Sequence, residues 1–267
     1  MFCGINNFRK EDLGPLKSIT GVLEEFDIES NIQLITNLHP MCSKIVMITD
    51  NTITGQRIQK EIQTYQRKQT FTKVPIELIY DVSTKELKTL LYRLDPNSIV
   101  LFTFFFRDNK GEYLEYDKAS TLFSRNCNVP VYGVWKFHLE SGIIGGYLTA
   151  GYLQDSLAAQ SALKILKGTP ANKIPIIKDL PSQLNFDYNQ LERFDIALSD
   201  LPENAIILNG PDKYRQLIIK ALWIIGVMII NFGSVHQLIP FTNQNAPLVR
   251  FTSKRPLIMY RHYTSAI

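Results

Sequence analysis

The sequence predicts an α/β protein: a doubly wound parallel sheet, a second and thinner α/β lobe, and one transmembrane helix. Three observations predict it. Between residues 44 and 134, apolar runs of strand length alternate with stretches of helical period. The run SIVLFTFFF (98–106) is too continuously apolar for a sheet with one wet face, so it requires helices on both sides. The segment LIIKALWIIGVMIINFGSVHQLI (217–239) has 23 residues, about 34 Å of helix at roughly 1.5 Å per residue, against a bilayer core of about 30 Å.

Taken in order, KIVMIT (44–49) is a β-branched strand, and Ile58, Ile62 and Tyr65 share one face of the helix that follows it. IELIY (76–80) is the next strand. Ser83 and Glu86 form a capping-box pattern ahead of Leu87, Leu90, Leu91 and Leu94, and Asp95-Pro96 stops that helix. A short helix at 118–123 and the strand VPVYGV (129–134) complete four strand–helix alternations. A second unit follows, with IIGGYLTA (143–150) as a strand and SLAAQSALKILKG (156–168) as a helix closed by Gly168. Strands near Phe2, Ile144 and Ile176 are the ones available to its sheet. The expected organisation is a first lobe, incomplete, from 1–41 and 143–212; a complete second lobe at 42–142; a transmembrane helix at 213–240; and a basic tail at 241–267. Within 217–235 Lys220 and Asn231 are the strongly polar residues, His236 and Gln237 follow near the far end, and Lys220 lies near the first end, where it can snorkel.

The net charge of +4 is unevenly spread. No Asp or Glu follows Asp212, while Lys213, Arg215, Lys220, Arg250, Lys254, Arg255 and Arg261 do, which leaves 22 basic against 25 acidic residues in 1–212. The body of the protein is therefore no nucleic-acid binder by charge. Cys3, Cys42 and Cys127 are odd in number and far apart, which fits neither a disulfide framework nor a zinc site.

In open parallel sheets ligands sit beyond the carboxyl ends of the strands. The residues there are Asp50, Asn51, Thr52 and Thr54; Phe104, Phe105, Phe106, Arg107 and Asp108; and Trp135, Lys136, Phe137 and His138. The thin lobe adds Asn6, Asn7, Thr20, Gly21 and residues 142–147. Each has a plainer alternative. Asp50 and Thr52 suit helix capping, the Phe run is half core, Trp135 suits a buried anchor as well as a stacking platform, and His138 reads best as a surface histidine. No G-x-S-x-G elbow or P-loop is present, and Gly142, Gly145 and Gly146 miss the dinucleotide spacing. No enzyme activity, metal or cofactor is expected.

The run VPVYGVWKFHLESGIIGGYLTAGYLQDSLAAQSALKILKGTPANKIPI resembles the extracytoplasmic substrate-binding proteins of ABC transporters with the type I periplasmic-binding fold. NFDYNQLERFDIALSDLPENAIILNGP is similar to the end of the variant used as the sensor domain of membrane histidine kinases; FCGINNF, SITGVLE and IVMITDNTITG also look like the family. The resemblance covers about residues 2–212. It implies two Rossmann-like lobes, the first incomplete, closing on an amino-acid-like or other small organic solute. Its implied ligand contacts are Asn6, Asn7, Thr20, Gly21, Asp50, Thr52, Phe104, Phe105, Trp135, Gly145 and Tyr147. It further implies attachment to the cell membrane by a single pass through 217–239, the binding domain on the periplasmic or extracellular side, and a permease or signalling module as partner. Measured against the family, the chain reads as a sensor domain lacking its first units and its output. A transporter's solute receptor and a Rossmann-type enzyme with a nucleotide at 142–146 are the competing readings.

Overall fold

The computed structural model describes residues 1–6, 8, 11, 14–15, 17–68, 73–178, 180–210 and 213–236. Its centre is a parallel sheet of β3 (Lys44–Thr49), β4 (Ile76–Ile79), β5 (Ser98–Phe104) and β6 (Val131–Gly133), in the order β4-β3-β5-β6. Strand periodicity sends alternate residues to opposite faces. Ile45, Met47, Ile99, Leu101 and Tyr132 enter one core, and Val46, Ile48, Val100, Phe102 and Val131 enter the other. The continuous apolar pattern of β5 follows from this double burial.

Helices α1 (Ile28–Leu38) and α2 (Ile53–Lys68) supply the first core through Ile28, Ile32, Ile35, Ile58 and Ile62. Helices α3 (Thr84–Tyr92) and α4 (Tyr116–Asn126) supply the second through Leu87, Leu91, Ala119, Leu122 and Phe123. Each of these Ile, Leu and Phe side chains contributes about 1.5–3 kcal/mol when fully buried. The expected capping box forms: Ser83 Oγ accepts from Glu86 N, and the Glu86 carboxylate accepts from Ser83 N at 2.8 Å. The strands and helices read from residues 44 to 134 are thus present in the expected order and orientation.

The remaining strands divide differently from the expectation that Phe2, Ile144 and Ile176 share a sheet. β1 (Phe2–Asn6) pairs in parallel with β2 (Gly21–Glu24), and Ile177 bridges to Val22. β7 (Gly145–Leu148) instead pairs antiparallel with β8 (Gln183–Asp187), which runs parallel to β9 (Ile206–Leu208). The bond from Ile144 N to Val131 O (2.7 Å) and the Trp135–Thr149 bridge attach this group beside β6. Ile144, Leu184 and Phe186 accordingly share the first core with α1, and α5 (Gly151–Leu166) packs on β1 and β2. The short helix α6 (Tyr188–Arg193) adds Leu191 to that first core.

Residues 1–211 form one compact unit. In the second unit, α7 (Lys213–His236) is helical where the apolar segment was read. Residues 237–239 of that segment, and the tail at 241–267, lie outside the described residues. Between Leu217 and Met228 its large apolar side chains are exposed on every side, from Val227 at 40% to Trp223 at 73%. Among the described residues no helix is long and apolar enough to cross a membrane.

Candidate functional site

The sheet reverses its winding direction between β3 and β5, because β4 lies on one side of β3 while β5 and β6 lie on the other. The connections leaving the carboxyl ends of these two strands diverge there and open a crevice. Asp50 follows β3 and is 1% exposed. Its Oδ1 accepts from Thr52 N (3.0 Å) and Thr52 Oγ1 (2.5 Å), and its Oδ2 accepts from Phe106 N (3.0 Å) and Arg107 N (3.2 Å). Four donors occupy the carboxylate, so Asp50 joins the exits of β3 and β5 and presents nothing to a solute. Thr52 donates to Asp50 and accepts from Gly55 N at 3.2 Å, which makes it the cap of α2.

Beyond this staple lies a crevice of about 300 Å³ lined by Asn51, Thr52, Asp81, Arg107, Asp108, Asn109 and Gly111. Gly111 has φ +83°, and a Cβ there would stand 3.7 Å from Arg107 Nη2, so the guanidinium passes close over the glycine. Asn109 Nδ2 donates to Asp81 O (2.9 Å) and Asn51 Nδ2 to Asp81 Oδ1 (3.4 Å), fixing the rim. Burial works to raise the pKa of Asp108, yet hydrogen bonds from Thr84, Glu112 and Lys110 hold its carboxyl below the usual range.

The ends of the thin pair meet the large sheet nearby. Arg57 Nη1 on α2 donates to Asn6 O (3.3 Å), and the Asn6 amide donates to the Glu24 carboxylate at 2.8 Å. Gln154 Nε2 of α5 donates to the same carboxylate (2.9 Å). Burial raises the Glu24 pKa, and the Gln154 bond works against that rise. Trp135 packs against Phe26 (centroids 5.5 Å) and Phe137 (5.6 Å), and its Nε1 donates to Thr103 O at 2.7 Å. It is 3% exposed, an internal anchor, whereas the neighbouring Phe137 is 50% exposed. Thr149 Oγ1 donates to Glu25 O (2.9 Å) and Lys136 Nζ to Gln183 Oε1 (2.9 Å), which ties the segment after β7 to that after β2 and the segment after β6 to β8.

The expected contacts therefore separate. Asn6, Asp50, Thr52, Phe104 and Trp135 gather at the strand exits, where Phe104 stands edge-on to Phe106 (4.6 Å). Phe105 is fully buried in the core with Phe123. Thr20 and Gly21 sit opposite Phe2, at the amino end of the thin pair and about 13 Å of strand from Glu24. Thr20 Oγ1 donates to Pro175 O (3.2 Å) there, and a Cβ on Gly21 would strike Phe2 at 2.5 Å. Gly145 has φ +149° and lies where a Cβ would come within 2.2 Å of Asn185 O, so it serves the β7–β8 approach. Tyr147 exchanges two bonds with the Asn31 amide (2.9 and 3.0 Å). Asn7 lies outside the described residues.

His138, expected at the surface, is fully buried instead. Phe102, Phe106 and Phe137 surround its ring at 4.8, 6.1 and 4.3 Å, neither nitrogen has a partner, and burial lowers its pKa to about 3. The glycines at 142–146 do not open a helix: Gly145 and Gly146 lie in β7, so no helix N-terminus is offered to a phosphate. Among the described residues no cluster of three or more His, Cys, Asp or Glu could hold a metal ion. Sequence reasoning missed Asp81, Asn109 and Gly111. Asp81 lies just past β4 and was open to the same exit rule.

No family model matches the chain, and no curated protein matches it. Solved structures do. A conserved domain protein from Vibrio cholerae O1 biovar El Tor strain N16961 superposes with TM-score 0.55 at 16% identity, over 70% of this chain and 62% of that one. The ligand-free, open form of CD0873, a substrate-binding protein with adhesive properties from Clostridium difficile, gives 0.52 at 14%, over 72% and 63%. The ABC domain in complex with L-Trp from Streptococcus pneumonia gives 0.55 at 14%, over 71% and 64%. The chain spans somewhat less than two thirds of the length of each. At these identities the likeness is one of fold alone: the chain shares the α/β architecture of these three structures.

Proposed function

We propose that residues 1–211 bind a small organic solute, amino-acid-like in size, in the cleft where the carboxyl ends of β3, β5 and β6 meet those of β1 and β2. The observation that carries this is the gathering at one edge of exposed Asn51, Arg107, Asn109 and Phe137 over a framework already fixed by Asp50 and Trp135. A polar rim carrying a cation at the exit of β5, with an exposed aromatic ring at the exit of β6, suits a compact zwitterion or carboxylate. The named neighbours, a substrate-binding protein and a domain holding L-Trp, support binding without chemistry. The test is thermal unfolding of the full chain against the twenty amino acids and a set of small carboxylic acids. At least one should raise Tm in a saturable way, and a flat response across the panel at millimolar concentration rejects the reading.

The second part of the proposal is attachment by a single membrane pass through 217–239, with the binding domain on the outer side and a signalling module as output. The exposed, apolar circumference of α7 and the length of the apolar run support it. Closure on solute would then be the signal, since a ligand touching both lobes favours the closed form only by its differential affinity. The competing role is the solute receptor of an ABC transporter. Partition of the full chain into lipid vesicles favours the sensor, and recovery in the aqueous phase favours the receptor.

A further inference from the structure

The amino ends of β3, β5 and β6, at the opposite pole of the sheet from Asn51 and Arg107, surround a second cavity of about 270 Å³. Residues 38–42 line it on the way into β3, Pro96, Asn97 and Ile99 on the way into β5, and Pro130 just before β6. Each of these connections follows the carboxyl end of a helix, α1, α3 or α4, where the helix dipole is negative. Arg93 caps α3 and Arg125 lies in the last turn of α4, but α1 has no basic residue in its last turn. Lys44, the next cation along the chain from α1, is held by Glu77 at 2.6 Å. Among the described residues that line the cavity, none carries a carboxylate or an ammonium group. Pro40, Pro96 and Pro130 fix φ in all its walls.

The ligating chemistry of this cavity lies in one turn. Cys42 N donates to His39 O (2.9 Å), which closes the turn His39-Pro40-Met41-Cys42 and brings an imidazole, a thioether and a thiol to the same cavity. His39 Nε2 meets the hydroxyl of fully buried Tyr132 at 2.8 Å, with the two rings edge-on at 5.7 Å. In the tautomer whose Nε2–H donates to that oxygen, Nδ1 keeps a free lone pair. Burial lowers the His39 pKa and so favours the neutral ring. Half-buried Cys42 Sγ donates to Lys44 O at 3.4 Å. Met41 is 79% exposed at the mouth of the cavity, and its unbranched side chain turns on three rotatable bonds.

We infer that this turn binds one soft monovalent cation of the copper(I) class through Cys42 Sγ, Met41 Sδ and His39 Nδ1. Thiolate and thioether sulfur select copper(I) over harder ions, and one thiolate balances its single charge. A structural zinc site takes four ligands drawn from thiolate, imidazole and carboxylate, and this turn offers only His39 and Cys42 of those types. Binding replaces the Cys42 S–H bond with a sulfur–metal bond, and the proton passes to solvent. Tyr132 orients the imidazole from behind, as an outer partner of a ligating histidine does.

The experiment titrates the full chain in mild detergent with silver(I), a redox-stable probe of the same class, in chloride-free buffer. The chain carries Cys3→Ser, which removes the exposed thiol. Calorimetry should show one tight equivalent and the release of about one proton per ion. Cys42→Ser should weaken that binding at least tenfold. Met41→Leu alters an exposed side chain, should leave Tm within a few degrees, and should also weaken binding at least tenfold. His39→Gln should do the same, and zinc(II) should bind the parent chain at least tenfold more weakly than silver(I). Undiminished silver binding in Cys42→Ser overturns the proposal. Loss in Cys42→Ser with Met41→Leu and His39→Gln both at parent affinity also overturns it, because a thiol alone accounts for that result. Zinc bound as tightly as silver overturns the assignment to a soft cation.

Discussion

The Oδ2 of Asp50, just beyond β3, accepts a hydrogen bond from the backbone N–H of Phe106, 3.0 Å away and just beyond β5. This one contact spans the switch point of the sheet and joins the two strand exits beside the crevice. It also turns a residue with ligand-contact chemistry into a structural one.

Removing that carboxylate strands buried donors. Asp50→Ala leaves Phe106 N, Arg107 N and Thr52 N without their acceptor, at about 1–3 kcal/mol for each buried group left unsatisfied. We expect a loss of roughly 3 kcal/mol in urea unfolding, and a change under about 0.5 kcal/mol would contradict the staple.

Trp135 is a stability residue. Trp135→Ala opens a cavity beside Phe26 and frees Thr103 O, and should cost about 3–5 kcal/mol. Trp135→Phe keeps much of the volume and should cost less. Wild-type stability in the Ala variant would return Trp135 to the solute surface.

His138 gives the protein an acid sensitivity. Its folded pKa, about 3, lies below the ordinary 6.5, so the unfolded chain binds the proton first as pH falls. Stability is complete above pH 6.5 and declines through the window down to about pH 3, by about 2 kcal/mol at pH 5. Glu61 on α2 acts in the opposite sense: burial, acting against its bond with Tyr65, raises its pKa from 4.5 to about 7, so its contribution is lost as pH rises through that range. The measurement is therefore a difference. His138→Leu should be less pH-dependent than wild type between pH 6.5 and 4, and parallel stability curves would remove His138 as the source.

The solute surface is tested by residues that carry no core. Phe137→Ala and Arg107→Ala change exposed side chains and should leave Tm within a few degrees of wild type. Each should weaken binding of any solute found by thermal shift at least tenfold in calorimetry. Unchanged affinity in both would place the site elsewhere.

Period and composition by themselves determined the parallel sheet, its four strands, the helices that sandwich it and the long apolar α7, because each is written in a spacing of 2 or 3.6 residues over short range. Ser83 and Glu86 were legible for the same reason. Long-range pairing was not. Only the tertiary structure decided that the strand at Ile144 joins β8 and not β1, since two strands of similar apolar pattern compete equally until the chain between them is placed. It likewise decided that Asp50 turns inward to Phe106, that Trp135 and Phe105 are core, and that His138 lies among phenylalanines. A residue type states what chemistry is available; its neighbours from distant positions, by supplying or withholding hydrogen bonds and water, determine whether a solute can use it.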